Sequence, residues 1–327
     1  MNNPDRTFSS HILSALCIAA VVFTVCGTGC ASVSAGGQPE TLAHTDGEKA
    51  EAFASVLDEE ARLQPEMNSL RTQIADLLAK GKVDESKKLN SKLQSLQQQV
   101  VEKYKVFVSE YPDEATAHNE LGEAYEDFTG DTQAAEKEYK RALALNPRLA
   151  DAHNNLATIL THTGRIEEGV KHYHKAIENE PDNATYHYNI AQSYFLFRPA
   201  ITRAFGWDNS TLFRKAAAES RKARDLDPME FDYALDYAMT FFGAPDFGVK
   251  IPRDDAVAAW KYAIKKFPEK SVRKDCRAFL GRLHLRLKEF DEAEQIFAEL
   301  SREKPGDDLY KQLIKRTRED RKLTQKE

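Results

Sequence analysis

Apolar and small residues recur along this chain in a two-helix rhythm, most legible in the stretch from Ala150 to Pro181, ADAHNNLATILTHTGRIEEGVKHYHKAIENEP. Leu156, Ala157 and Leu160 fall on one face of a first helix, and Gly164 marks a turn. Gly169, Tyr173 and Ala176 fall on one face of a second helix, which stops at Pro181. Residues three and four apart share a side of an α-helix, so the spacing predicts two amphipathic helices packed face to face. The small side chains at Ala157, Gly169 and Ala176 let the helices approach closely, and Leu156, Leu160 and Tyr173 fill what remains between them. Glycine permits the turn and proline blocks continuation of the second helix. One such pair cannot bury its own apolar face, so copies should flank it.

They do. The second-helix signature, small, aromatic, small, proline, recurs as Ala135, Tyr139, Ala142, Pro147 and as Ala256, Trp260, Ala263, Pro268. It recurs again as Ala293, Phe297, Leu300, Pro305, and as Ala216, Ser220, Ala223, Pro228 with serine in the aromatic place. A half copy reads Val100, Tyr104, Phe107, Pro112, and first-helix halves stand at Leu121-Gly122, Ile190-Ala191, Tyr237-Ala238 and Leu280-Gly281. On these residues the chain resembles the tetratricopeptide-repeat family from about Val100 to Pro305. The resemblance implies an all-α superhelical solenoid of about five helix-turn-helix repeats, with a groove lined by the first helices. Residues 115–307 are assigned to the solenoid, 48–114 to an N-terminal helical hairpin and half repeat, and 308–327 to a C-terminal cap helix and tail.

The two ends carry different signals. Arg6 and His11 precede an apolar run from Ile12 to Val25, the size of a signal-peptide core and short for a bilayer span. Gly27-Thr28-Gly29-Cys30 resembles a bacterial lipoprotein cleavage box, with Gly27 where that family carries Leu, Val or Ile. The resemblance implies acylation of Cys30, a lipid anchor facing the periplasm and, with Ala31 and Ser32 following, the outer membrane. Cleavage after Val33-Ser34-Ala35, releasing a soluble periplasmic or secreted protein, is the alternative. Residues 1–30 are therefore read as leader and 31–47 as a flexible tether. Cys17, Cys26 and Cys30 lie in or beside that leader, so Cys276 is alone in the mature chain and reads as a small buried hydrophobe. Met67, Leu70, Ile74 and Leu77 after Pro65 face Leu89, Leu93, Leu96 and Val100 across the Lys80-Gly81-Lys82 turn. This hairpin is expected either to cap the first repeat or to form a coiled-coil arm that makes a homodimer.

Two insertions interrupt the period, one at Phe197–Leu212 and one at Gly243–Asp254, both between the helices of a repeat. They should project side by side from one edge, where Arg198, Arg203, Phe205, Trp207 and Phe247 form an expected partner-binding patch, the alternative being that the aromatics seal the junction below. At 100° per residue, the face opposite the core positions of each first helix can be counted off. It carries Asn119, Glu120, Glu123, Glu126 and Asp127 in the first repeat, and Asp151, Asn154, Asn155, Thr158 and His162 in the second. The third gives Tyr188, Asn189, Gln192, Phe195 and Leu196, the fourth Leu235, Asp236, Met239 and Phe242, and the fifth Phe279, Arg282, Leu285 and Arg286. The lining runs from acidic through amide-rich and aromatic to basic. Asn155 and Asn189 are placed to offer a donor and an acceptor to an extended backbone, similar to the asparagine stack of the O-linked N-acetylglucosamine transferases. The aromatics are placed to hold an apolar partner segment, or are covered by the insertions.

Charge and chemistry narrow the function. With 30% charged residues, net charge −6 and pI near 5.9, there is no electrostatic footprint for nucleic acid. His118, His153 and His187 recur where the repeat wants a packing residue, and His172 and His174 are two apart on a helix, a poor metal pair. No phosphate-cradling glycine loop, nucleophile elbow or HExxH motif occurs. No cofactor or metal is expected and the chain is not read as an enzyme. The expected function is an interaction scaffold or adaptor of the bacterial envelope, binding a segment of another envelope protein in its groove. In class it resembles the tetratricopeptide lipoproteins that serve proteases or secretin assembly. A self-associating spacer and a small-ligand or lipid carrier remain as alternatives.

Overall fold

The computed structural model describes residues 46–306 and 308–325, and every regular element among them is helical. The leader with Cys30 lies outside the described residues, as does the tether apart from its last two positions. Two long helices, α1 (Asp46–Ala79) and α2 (Val83–Glu110), form a hairpin. Helix pairs follow: α3 (Ala115–Ala124) with α4 (Thr132–Leu145), and α5 (Ala150–His162) with α6 (Ile166–Asn179). The third pair is α7 (Ala184–Leu196) and α9 (Asn209–Leu226), separated by the short helix α8 (Arg198–Phe205). Next come α10 (Phe231–Phe242) with α11 (Arg253–Lys266), then α12 (Lys270–Arg286) with α13 (Phe290–Glu303), and finally α14 (Asp308–Thr324).

Small residues set the spacing throughout this solenoid. Ala135, Ala142, Ala157, Ala176, Ala216, Ala223, Ala256 and Ala263 are fully buried, with Tyr139, Tyr173 and Trp260 packed between them. The closest approach to backbone at these glycines is at Gly169. A Cβ there would stand 2.6 Å from Thr161 Cγ2 and 2.9 Å from the Ala157 carbonyl oxygen. Gly164, at φ 89°, makes the turn between these helices in the left-handed region that glycine alone enters freely. Asp131 caps α4 by accepting from the Ala134 amide at 3.0 Å, which satisfies one of the orphan N–H groups of the helix start.

The histidines at the fourth position of three repeats are structural, as their place in the pattern implies. His118, His153 and His187 are buried, and each bonds through Nε2 to the carbonyl of the proline that closes the preceding repeat, at 3.1, 3.1 and 2.9 Å. Their Nδ1 atoms reach across to the second helix of the same repeat, to Glu138 at 2.7 Å, His172 at 2.8 Å and Glu219 at 2.5 Å. One ring thus ties a loop and two helices together. The His153–His172 contact pairs residues that the repeat spacing does not connect.

The hairpin differs in one respect from expectation. Helix α1 does not open after Pro65 but runs through it from Asp46. Proline forfeits one hydrogen bond, yet Val56 and Leu63 before it and Met67 and Leu70 after it bury one continuous apolar face. That face packs on Leu93, Val100, Tyr104 and Phe107 of α2 and on Leu121 of α3, so the apolar seam is closed within the chain.

Gly169→Ala would gain helix propensity but drive a methyl into a backbone carbonyl. A net loss of about 1–3 kcal/mol is expected, because overpacking a closed interface costs that much. Thermal or urea unfolding of the variant checks it.

Candidate functional site

The candidate site is the face made by the first helices α3, α5, α7, α10 and α12. Its acidic end is deeper than the sequence showed. Glu120 and Glu123 on α3, and Glu126 and Asp127 on the π-helical turn that extends it (Tyr125–Thr129), converge with Glu60 of α1 and Asp151 of α5. Burial, with like charge around it, pushes Glu120 up to about 7 and Glu123 up to about 8. Burial also raises Glu126 to about 7, and partial desolvation at the exposed rim, with the Glu60 charge beside it, raises Asp127 to about 6, Arg71 pulling it back. Tyrosine hydroxyls donate into the cluster, Tyr104 to Glu60 and Tyr139 to Glu126, each at 2.7 Å, and Tyr186 to Asp151 at 2.5 Å. Glu60 belongs to the hairpin, outside the repeat pattern from which the groove was counted, so no periodic signal could have placed it here.

The amides are used differently from the expectation. Asn119 and Asn155 both donate to Glu123 Oε1, at 2.8 and 2.7 Å, and Asn155 also reaches Asn119 Oδ1 at 3.3 Å. Asn154 donates to Asn155 at 3.2 Å, and Asn189 donates to Asn154 at 3.0 Å. The five residues form a ladder across the first helices of three repeats, with Asn119 and Asn154 buried. These NH2 groups stitch repeat to repeat rather than waiting for a partner backbone. Gln192 and Asp236 are also spent internally. Gln192 donates to Asp236, whose other oxygen accepts from Ser220 at 2.5 Å, and burial raises Asp236 to about 7. Ser220 is the serine that replaces the aromatic in its repeat, and the bond to Asp236 explains the departure.

The aromatic end is half-buried and ordered by ring contacts. Tyr188 lies 5.1 Å from Tyr233, Phe242 lies 5.9 Å from Phe279, and Phe279 stacks on buried Trp260 at 5.2 Å. Arg286 stands over Phe242, 3.9 Å from its centroid, and donates to the Phe242 carbonyl at 2.7 Å; Arg282 lies 5.6 Å from the Phe279 centroid. Met239 is half-buried, and Leu196 is 45% exposed.

The insertions do not present the open patch expected of Arg198, Arg203, Phe205, Trp207 and Phe247. Phe247, in a 3-10 turn (Ala244–Phe247), is buried against Phe195 at 4.9 Å and Phe213 at 5.8 Å. Arg198 lies over Phe247 at 4.8 Å and donates to the Asp246 carbonyl, so one insertion clasps the other. Phe205 stacks on Trp207 at 4.8 Å, Trp207 packs edge-on against Tyr194, and Lys215 covers it at 4.5 Å. Arg203 alone of the five is exposed. Apolar rings fold into the nearest unfilled core, and the junction of the third and fourth repeats supplied one. Phe195 belongs to that plug rather than to an open groove. The site therefore reduces to the carboxylates, the ladder, and the Leu196, Met239, Phe242 and Arg286 end.

Among the described residues no three or more His, Cys, Asp or Glu side chains are placed to hold a metal ion together. The His153–His172 pair is depressed in basicity, His172 to about 4, by burial first and by the neighbouring ring.

The carboxylates give a pH dependence of definite sign. Their folded pKa values are raised, so the stability they contribute is full below about 4.5 and is lost as pH rises through the range of 6 to 8. The melting temperature should fall over that interval. Glu123→Gln keeps the acceptor for both asparagines and removes the highest-titrating acid, so its profile should be flatter. Calorimetry of the two proteins from pH 5 to 9 makes the comparison.

A tetratricopeptide-repeat family model matches residues 129–193 and 253–316. No curated protein matches the chain. Among solved structures, the C-terminal part of a repeat protein from Cytophaga hutchinsonii aligns with TM-score 0.53 at 14% identity, covering 82% of this chain and 99% of that one. YrrB, described as a repeat protein with an unusual peptide-binding site, aligns with TM-score 0.50 at 13% identity, covering 65% of this chain and 97% of its own. At such identities the likeness is one of fold. That fold is typically a non-catalytic scaffold for protein–protein interaction, and no enzyme family is indicated. Over residues 129–193 and 253–316 the chain matches the tetratricopeptide-repeat model, and its fold is like that of solved tetratricopeptide-repeat structures.

Proposed function

We propose that the protein is a non-catalytic adaptor of the bacterial envelope that holds a segment of a partner protein along the first-helix face. The observation that carries this reading is Leu196, 45% exposed at the last position of α7 on that face. A large apolar side chain left in water on the first helix that precedes the one carrying half-buried Met239 and Phe242, between acidic and basic ends, is the composition of a recognition surface. The structural relative described as peptide-binding is consistent with it. The envelope address rests on the apolar leader and on Cys30, whose acylation would tether the solenoid to a membrane facing the periplasm, with the outer membrane preferred. Self-association through the hairpin has less support, since the seam that would form a coiled coil is already closed between α1 and α2.

A photo-crosslinking residue in place of Leu196 is expected to trap a different protein in cells, whereas one at exposed Lys171 on α6 is not. Adducts only with the chain itself would favour the spacer, and adducts from Lys171 alone would move the binding face. Cys30→Ser is expected to release the protein from the membrane fraction. Unchanged sedimentation with membranes would sink the lipid anchor.

A further inference from the structure

The groove is polarised in charge as well as lined by apolar residues, and this restricts what fits it. At one end Glu60, Glu120, Asp127 and Asp151 gather on three elements, with Asp127 and Asp151 exposed. Arg71 is the cation facing this group, and the tyrosines that donate into it bring no positive charge. Among the described residues the negative charge of this group therefore exceeds the positive, and like charge adds to burial in raising the acids' affinity for protons. At the other end Arg286 is exposed. Its guanidinium is held by a carbonyl oxygen and a ring face, with no carboxylate bonded to it among the described residues. Leu196 and the half-buried Phe242 and Met239 lie between the two ends.

We infer that the partner segment is charge-segregated, with cationic side chains over the carboxylates of the first two repeats, apolar ones over Leu196 and Phe242, and a carboxylate at Arg286. The inference rests on the groove being the binding face. The segregation follows from complementarity: a segment with the same charge at both ends would set acid against the carboxylates or cation against Arg286, and like charges juxtaposed at an interface are strongly disfavoured. Length follows from geometry. From α3 to α12 there are four steps between neighbouring first helices, each about 8–10 Å if the helices pack at the usual interaxial distance. An extended chain advances roughly 3.3 Å per residue, so about ten to twelve residues cover the span. The internal use of the amide ladder fits the same picture, because it leaves side-chain charge and apolar contact, rather than backbone hydrogen bonds, to choose the partner.

Selection from a random twelve-residue display library against the immobilised protein tests this. The selection is run at pH 8, above the range to which Glu120 and Asp127 are raised. Enriched peptides are expected to separate Lys and Arg at one end from Asp and Glu at the other, around Leu, Phe or Met. Arg286→Glu should weaken them at least tenfold, and raising salt from 50 to 500 mM should do the same by screening both ends. Asp127→Lys, on the exposed rim, should act likewise, and circular dichroism confirms that each variant folds. Peptides that compete with a crosslinker at Leu196 but show no charge segregation, or that are indifferent to Arg286→Glu, would overturn this inference while leaving the groove as the binding face. Peptides that bind without protecting Leu196 would overturn both, as would a library that yields no binder.

Discussion

The distance of closest approach between paired helices governs this molecule. Each repeat has an apolar face too large for itself, and the faces are buried because alanine or glycine stands where its two helices cross. Where Gly169 meets the Ala157 carbonyl there is no room for a methyl group. With the crossings fixed, the large residues between them are fixed as well. Tyr139, Tyr194, Trp260 and Phe297 are essentially inaccessible, and each contributes on the order of 1.5–3 kcal/mol by burial. Trp260 shows how far packing dominates. Its Nε1 is buried without a hydrogen-bond partner, a loss of about 1–3 kcal/mol that stacking on Phe279 and full burial offset.

Polar groups do the work of register. The fourth-position histidines connect each preceding proline loop to both helices of the repeat, and the asparagine ladder connects first helix to first helix. Both networks sit where apolar contacts alone would tolerate sliding, and hydrogen bonds with fixed partners do not. The cost is that the most suggestive amides on the groove are committed to the fold. Recognition is left to what remains: carboxylates that the chain does not neutralise, a leucine that it does not cover, and an arginine that it holds without ion-pairing.

The insertions show the same economy. Sequence alone gives them a hot-spot composition, and the structure turns most of it inward. Phe247 fills the space between Phe195 and Phe213, and Arg198 closes over it. The third and fourth repeats are thereby locked together, which makes that junction a rigid platform for the aromatic end of the groove.

Local pattern was enough for the repeats. The spacing of Ala135, Tyr139 and Ala142, and its echoes to Leu300, dictates helices with one apolar face, and such helices have one efficient way to stack. Histidine at the packing position is likewise legible, because a buried ring at a fixed place in a repeat meets the preceding proline carbonyl each time. Contacts between residues far apart in sequence were not legible. That Glu60 joins the acids of the first repeat, that Asn119 and Asn155 share one oxygen of Glu123, and that His153 meets His172 depend on how helices are rotated against each other. The same holds for Phe195 and Phe247, whose fate was decided by an unfilled cavity at the junction of two repeats. Helical periodicity says which face a residue occupies; only the packed structure says whether that face meets solvent, a partner chain or another part of the same chain.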